Sequence, residues 1–135
     1  MRVSTHGLIL AVFALSACAT PAQMTTGPSV LGAEGQVKVA DGPNGNTLVN
    51  ILIHHLAAPE KVSPGATVYV AWVQASEGGS QQNVGQIQLD SNQSGRLDTV
   101  TSFKNFTVIV TAEPVATAAT PTGNPVLSTK ISGKQ

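Results

Sequence analysis

The sequence predicts an all-β fold: a single Ig-like antiparallel β-sandwich of about seven strands. Three observations carry that expectation. Short runs rich in β-branched residues alternate with clusters of Gly, Pro, Asn and Asp from Gly35 onward. Several runs show the period-2 alternation of a half-buried strand. No stretch of ten or more residues shows helical periodicity. Seven short strands over about a hundred residues, separated by turns, more often make two packed sheets than a closed barrel.

Taken in order, residues 37–40 form the first expected strand, and Asp41-Gly42-Pro43-Asn44-Gly45-Asn46 is dense in turn formers. Residues 47–56 (TLVNILIHHL) form the second, broken by Ala57-Ala58-Pro59-Glu60. Residues 66–75 (ATVYVAWVQA) are the third and most strongly marked, after the turn signal Ser63-Pro64-Gly65. In residues 83–90 (NVGQIQLD), Gly85, Ile87 and Leu89 share one face and Gln86 and Gln88 the other. Residues 96–101 make a short fifth strand. Residues 106–112 (FTVIVTA) place Phe106, Val108 and Val110 inward and Thr107 and Thr111 outward. Residues 126–131 close the set, with Pro125 demoting that strand toward an edge. Few aromatics are present, so the core rests on Val, Ile and Leu, with Trp72 expected as a core aromatic.

The first residues are not part of that domain. Residues 1–6 carry Arg2 and no acidic residue, and Gly7 opens an apolar run of nine ending at Leu15. Small residues follow. This is the pattern of a secretory signal peptide, and the run is too short for a spanning helix, which needs roughly 20 residues. Leu15-Ser16-Ala17-Cys18 resembles the bacterial lipobox. That resemblance implies cleavage before Cys18 and a covalent lipid on its sulfur, so the expected cofactor list is empty apart from that lipid. Cys18 is the sole cysteine. One acyl chain gives marginal membrane binding and two or three give a stable hold. Ala19 is not the aspartate that retains such proteins at the inner membrane in enteric bacteria, which favours the outer membrane. The expected organisation is therefore residues 1–17 as signal peptide, 18–34 as lipidated cysteine and flexible linker, and 35–132 as the sandwich. Within the linker, residues 29–31 are the part with a chance of packing on the domain.

Composition narrows the function. Removing Arg2 from seven Lys and Arg leaves six against seven Asp and Glu, a net charge near −1. No basic stripe appears, which argues against nucleic-acid binding. With Cys18 lipidated, no thiol remains for a disulfide, a thiolate metal site or a nucleophile.

Two stretches, Tyr69-Val70-Ala71-Trp72-Val73 and the run from Thr107 through Glu113-Pro114 to Pro121-Thr122-Gly123-Asn124-Pro125-Val126-Leu127, resemble the extracytoplasmic C-terminal domain of the anti-sigma-K factor family. The resemblance implies the fold and a sensing or binding role in the envelope. Members of that family also carry a cytoplasmic sigma-binding domain and a transmembrane helix. The residues here match neither, so sigma-factor inhibition does not carry over. The loop at residues 115–120 also lacks the glycines often seen there.

Candidate chemistry is sparse. His54 and His55 are strand neighbours expected on opposite faces, a poor arrangement for chelating one metal. Glu34, Asp41, Glu60, Glu77, Asp90, Asp98 and Glu113 are scattered, and their spacing points to solvated charge rather than a glycosidase pair. Asp41, Asp90 and Asp98 lie in or beside turns but form no EF-hand-like loop. Gly27-Pro28-Ser29-Val30 does not match a nucleophile elbow. Tyr69 and Trp72 suit core packing better than a ligand platform. The sequence therefore predicts no catalytic, metal or cofactor residue. It predicts a non-enzymatic, lipid-anchored envelope protein that binds or senses another envelope component, expected to be a protein. The alternative is a module for a small ligand or cell-wall glycan.

Overall fold

A computed structural model describes residues 20–133. The expected signal peptide and Cys18 lie outside the described residues.

The chain forms two antiparallel sheets facing each other. In the first, the order is β1 (Ala22–Gln23), β3 (Glu34–Asp41), β4 (Thr47–His54), β7 (Gly95–Thr101). In the second it is β2 (Thr25–Thr26), β9 (Pro125–Ile131), β8 (Phe106–Glu113), β5 (Val68–Ala75), β6 (Gln82–Ile87). β4 pairs with β7 while β5 and β6 are built into the opposite sheet, the crossing connection of an Ig-like Greek key. All seven expected strands are present. β3 is longer than expected because its first residues pair with the end of β4, Glu34 opposite His54.

Alternation explains the core. Val49, Ile51 and Ile53 of β4 point inward, and Leu48, Asn50, Leu52 and His54 point out. From the other sheet Tyr69, Ala71, Val73, Phe106, Val108 and Val110 meet them. Burial of these aliphatic and aromatic side chains contributes about 25 cal/mol for each Å² removed from water.

Two expectations change. Trp72 is fully buried, but on the far side of the five-stranded sheet from the inter-sheet core. There it packs with Val70 and Ile109, and Ala118 of the loop at residues 114–124 lies over them. β5 is thus covered on both faces, and this is why its sequence has no polar alternation from Val68 to Val73. The inter-sheet aromatics are Tyr69 and Phe106.

The second change is the domain boundary. The sandwich begins at Ala22, not at Gly35. Ala22 pairs with Val37 and Gln23 with Gln36; Thr25 then pairs with Ser128 and Thr26 with Leu127. The segment expected as a linker is a strap that crosses from one sheet edge to the other. Met24 sits at the crossing, 9% exposed, and its backbone N–H donates to Gly35 O at 2.8 Å. A Cβ on Gly35 would stand 2.8 Å from the Met24 sulfur, so a larger residue there would push the Met24 side chain aside. Val30 and Ala33 complete the packing, while Leu31 is 85% exposed.

β6 carries an irregularity. Its register with β5 shifts between Ala71 and Trp72, and Gly85 opposite this shift has φ of +140°. An L side chain rarely adopts that conformation. The resulting bulge twists the β6 edge away from straightforward pairing.

Candidate functional site

The residues with chemistry gather in three places. The first is a buried polar chain on the outer side of the five-stranded sheet. Strand alternation puts Trp72, Thr111 and Glu113 on that side. The Trp72 indole Nε1–H donates to Thr111 Oγ1 at 2.8 Å. The Thr111 hydroxyl donates to Glu113 Oε1 at 2.6 Å. Glu113 also accepts from the Thr122 backbone N–H at 2.9 Å, the Thr122 hydroxyl, and the Gly123 N–H at 3.3 Å. Burial pushes the Glu113 carboxyl up, but hydrogen bonds from Thr111, Thr122 and Gly123 outweigh it and hold the group below its ordinary value. A Cβ on Gly123 would stand 2.7 Å from Ala112 O, so only glycine permits the approach. Asn83 Nδ2 donates to Ala116 O and Ala118 O, at 2.8 and 3.0 Å, and ties the same loop down from β6. All of Glu113's partners are internal. The arrangement holds a loop over Trp72.

The second place is the end of the sandwich where β4 stops. His55 leaves the strand with φ of +57°, so alternation ends at His54 and the two imidazole centroids stand 6.4 Å apart. His54 Nδ1 and Ser94 Oγ share a hydrogen bond of 3.0 Å, a contact that sequence spacing does not reveal. Both groups lie on open surface, and among the described residues no carboxylate bonds His54. An activated serine needs a base that is itself oriented, and a cleft. Among the described residues no group of three or more His, Cys, Asp or Glu is placed to hold a metal. Asp90 Oδ1 accepts the N–H groups of Asn92 and Ser94 and so closes its own turn. Beside it, under α1 (Pro59–Val62), lies an open cleft of about 510 Å³ lined by Lys61, Tyr69, Gln86, Gln88, Asp90 and Gln93 among others. The Tyr69 hydroxyl donates to Ala57 O at 2.6 Å. Burial, with the nearby Glu60 charge second, pushes this phenol up to about 12.

The third place is the outer face of the four-stranded sheet and its free edge. Register sets Ala40, Leu48 and Val100 in one row, and Lys38, Asn50 and Asp98 in the next but one. Leu48 and Val100 are 40% and 45% exposed. Asp98 accepts from Arg96 Nε at 2.9 Å and from Asn50 Nδ2 at 2.6 Å. These bonds, Arg96 first, hold its carboxyl below the ordinary range. β7 has β4 as its strand partner over seven residues without a register shift or proline, while on its other side Gly95 bridges Leu89 and the Thr99 hydroxyl donates to the Val84 carbonyl at 3.2 Å. Beyond Gly95 its outer backbone edge has no strand partner among the described residues.

The expected solvated carboxylates are therefore of two kinds: Asp98 and Asp90 at the surface, and Glu113 buried as a structural hub. Sequence reading missed that hub. Its available signal was a glutamate inside an apolar strand, flanked by threonine.

Compared with family models, curated proteins and solved structures, the chain matches none.

Proposed function

We propose that this chain is a lipid-anchored envelope protein, held through Cys18. Its sandwich is a non-enzymatic module that binds or senses another envelope component. The lipobox resemblance supports the anchor and favours an outer membrane, with the domain facing the periplasm or the exterior. The observation that supports the binding role is the outer edge of β7 beyond Gly95, where residues 96–101 pair with β4 and have no strand partner on the other side, the Thr99 hydroxyl alone reaching across to the Val84 carbonyl of β6. An added strand from a partner would take its main-chain hydrogen bonds there, with side chains giving specificity. The other edges are blunted: β3 and β9 by the strap, β6 by its bulge.

Photo-crosslinking in intact cells tests this. The reactive side chain is placed at Arg96 on β7 and, separately, at Lys61 on α1. The reading expects one envelope protein captured from position 96 and absent from 61. No adduct at 96, or the same adducts at both, contradicts it.

The cleft under α1 favours the second reading, a small polar ligand, since Lys61, Gln86, Gln88, Asp90 and Gln93 offer donors and acceptors. A cell-wall glycan is less well served, because Trp72, Tyr69 and Phe106 keep their rings buried and offer no stacking face.

A further inference from the structure

We propose that the outer face of the four-stranded sheet, at the row Ala40, Leu48 and Val100, lies on the surface of the bilayer that holds the anchor. This rests on the reading of Cys18 as lipidated. Three residues lie between Cys18 and Ala22, where pairing with β3 begins, which makes four residue steps. Extended chain spans at most about 3.6 Å per residue, so roughly 14 Å separates the anchored cysteine from the sandwich. A lipidated Cys18 sits at headgroup level, which leaves no room for the domain to stand off.

The direction of entry selects the face. β1 runs antiparallel to β3, with Ala22 opposite Val37 and Gln23 opposite Gln36. The chain therefore arrives from the Asp41 end of β3. The row Ala40, Leu48, Val100 crosses the sheet at that same end. From β1 to β7 the sheet is three strand spacings wide, about 14 Å, so the row is within the anchor's neighbourhood. Leu48 and Val100 are two of the large apolar side chains that the domain leaves exposed. Between them and the next strand pair lies a shallow hollow of about 630 Å³, lined by Ala40, Leu48 and Val39 with Lys38 at its rim. Lys38 suits the phosphate level, its stem along the apolar surface and its ammonium in water. Of the acidic groups near this face, Asp98 is paired with Arg96, Glu34 lies at the far end beside His54, and Asp41 ends β3 next to Ala40. His54, Asn92 and the cleft under α1 lie at the opposite end of the strands and face away from the membrane. The free β7 edge then runs beside the bilayer, open to a partner in the same layer.

The test uses the full chain, purified from membranes and placed in vesicles of phosphatidylethanolamine and phosphatidylglycerol. Leu48→Cys, Val100→Cys and Asn92→Cys are each labelled with bimane, then mixed with vesicles whose headgroups carry nitroxide. The expected result is several-fold stronger quenching at positions 48 and 100 than at 92. Equal quenching at all three overturns the docking. Shielding at 48 that appears in native membranes but not in vesicles also overturns it, by assigning the face to a protein. Bimane uptake by the unsubstituted chain reveals a free Cys18 thiol and overturns the anchor itself, an outcome distinct from the other two.

Discussion

Glu113 is the most consequential single residue. A buried carboxylate is costly unless its charge is met by donors, and here two hydroxyls and two backbone N–H groups meet it. Glu113→Gln removes the charge and turns one oxygen into a donor facing other donors. We expect a loss of about 1.5–3 kcal/mol, the range for hydrogen bonds to a charged group. Urea unfolding measures it, and a red shift of Trp72 emission reports the loosened loop. The sign with pH follows from the lowered value. The unfolded carboxyl binds its proton first as pH falls, so the stability Glu113 contributes is full above the ordinary value of 4.5 and is lost as pH drops through the lowered folded value. Glu113→Gln loses that part of the acid dependence. Tyr69 works in the opposite direction. Its phenol is pushed up from 10.0 to about 12, so the unfolded chain ionises first and stability falls between pH 10 and 12. Tyr69→Phe abolishes that alkaline slope in thermal melts, although it also removes the bond to Ala57.

Among the elements, the strap formed by β1 and β2 decides the size of the domain. Met24→Ala opens a cavity where the strap crosses between sheets, and costs about 2–4 kcal/mol by the usual large-to-small scale. Thermal unfolding checks it, and an unchanged melting temperature contradicts the strap's role. The strands themselves were legible because turn clusters bounded them and because β4 alternates cleanly. The strap was not. Two-residue strands are too short to show a period, and Met24 and Val30 are isolated apolar residues in a Pro- and Thr-rich stretch. The side taken by Trp72 was equally hidden. β5 is apolar at both parities, so its sequence cannot say which face meets the other sheet. That is settled by Glu113 gripping Thr122 and Gly123, nine and ten residues along the chain, a contact no local pattern encodes. The free edge of β7 is likewise a property of strand order, which appears only once the Greek key is closed.

For the whole molecule, the early start of the sandwich makes the proposed anchor connection short rather than a long tether. With the lipid at Cys18 that we propose, pairing from Ala22 leaves three residues between the anchored cysteine and the fold. A domain held this way samples partners in or on its own membrane, and lengthening the connection changes which ones it reaches. Insertion of a flexible Gly- and Ser-rich segment of about 20 residues after Ala19 raises the root-mean-square reach to roughly 25 Å. Partner capture at the β7 edge is then expected to weaken, read as loss of the position-96 adduct in the same cells. An undiminished adduct contradicts a membrane-proximal partner.

Everything said of the whole molecule depends on Cys18. Intact-mass and N-terminal peptide mass spectrometry of the protein recovered from the membrane fraction tests it most directly. The account predicts a mature chain that begins at Cys18 and carries diacylglycerol on the sulfur. A chain that begins elsewhere, or a Cys18 found with a free thiol, contradicts it.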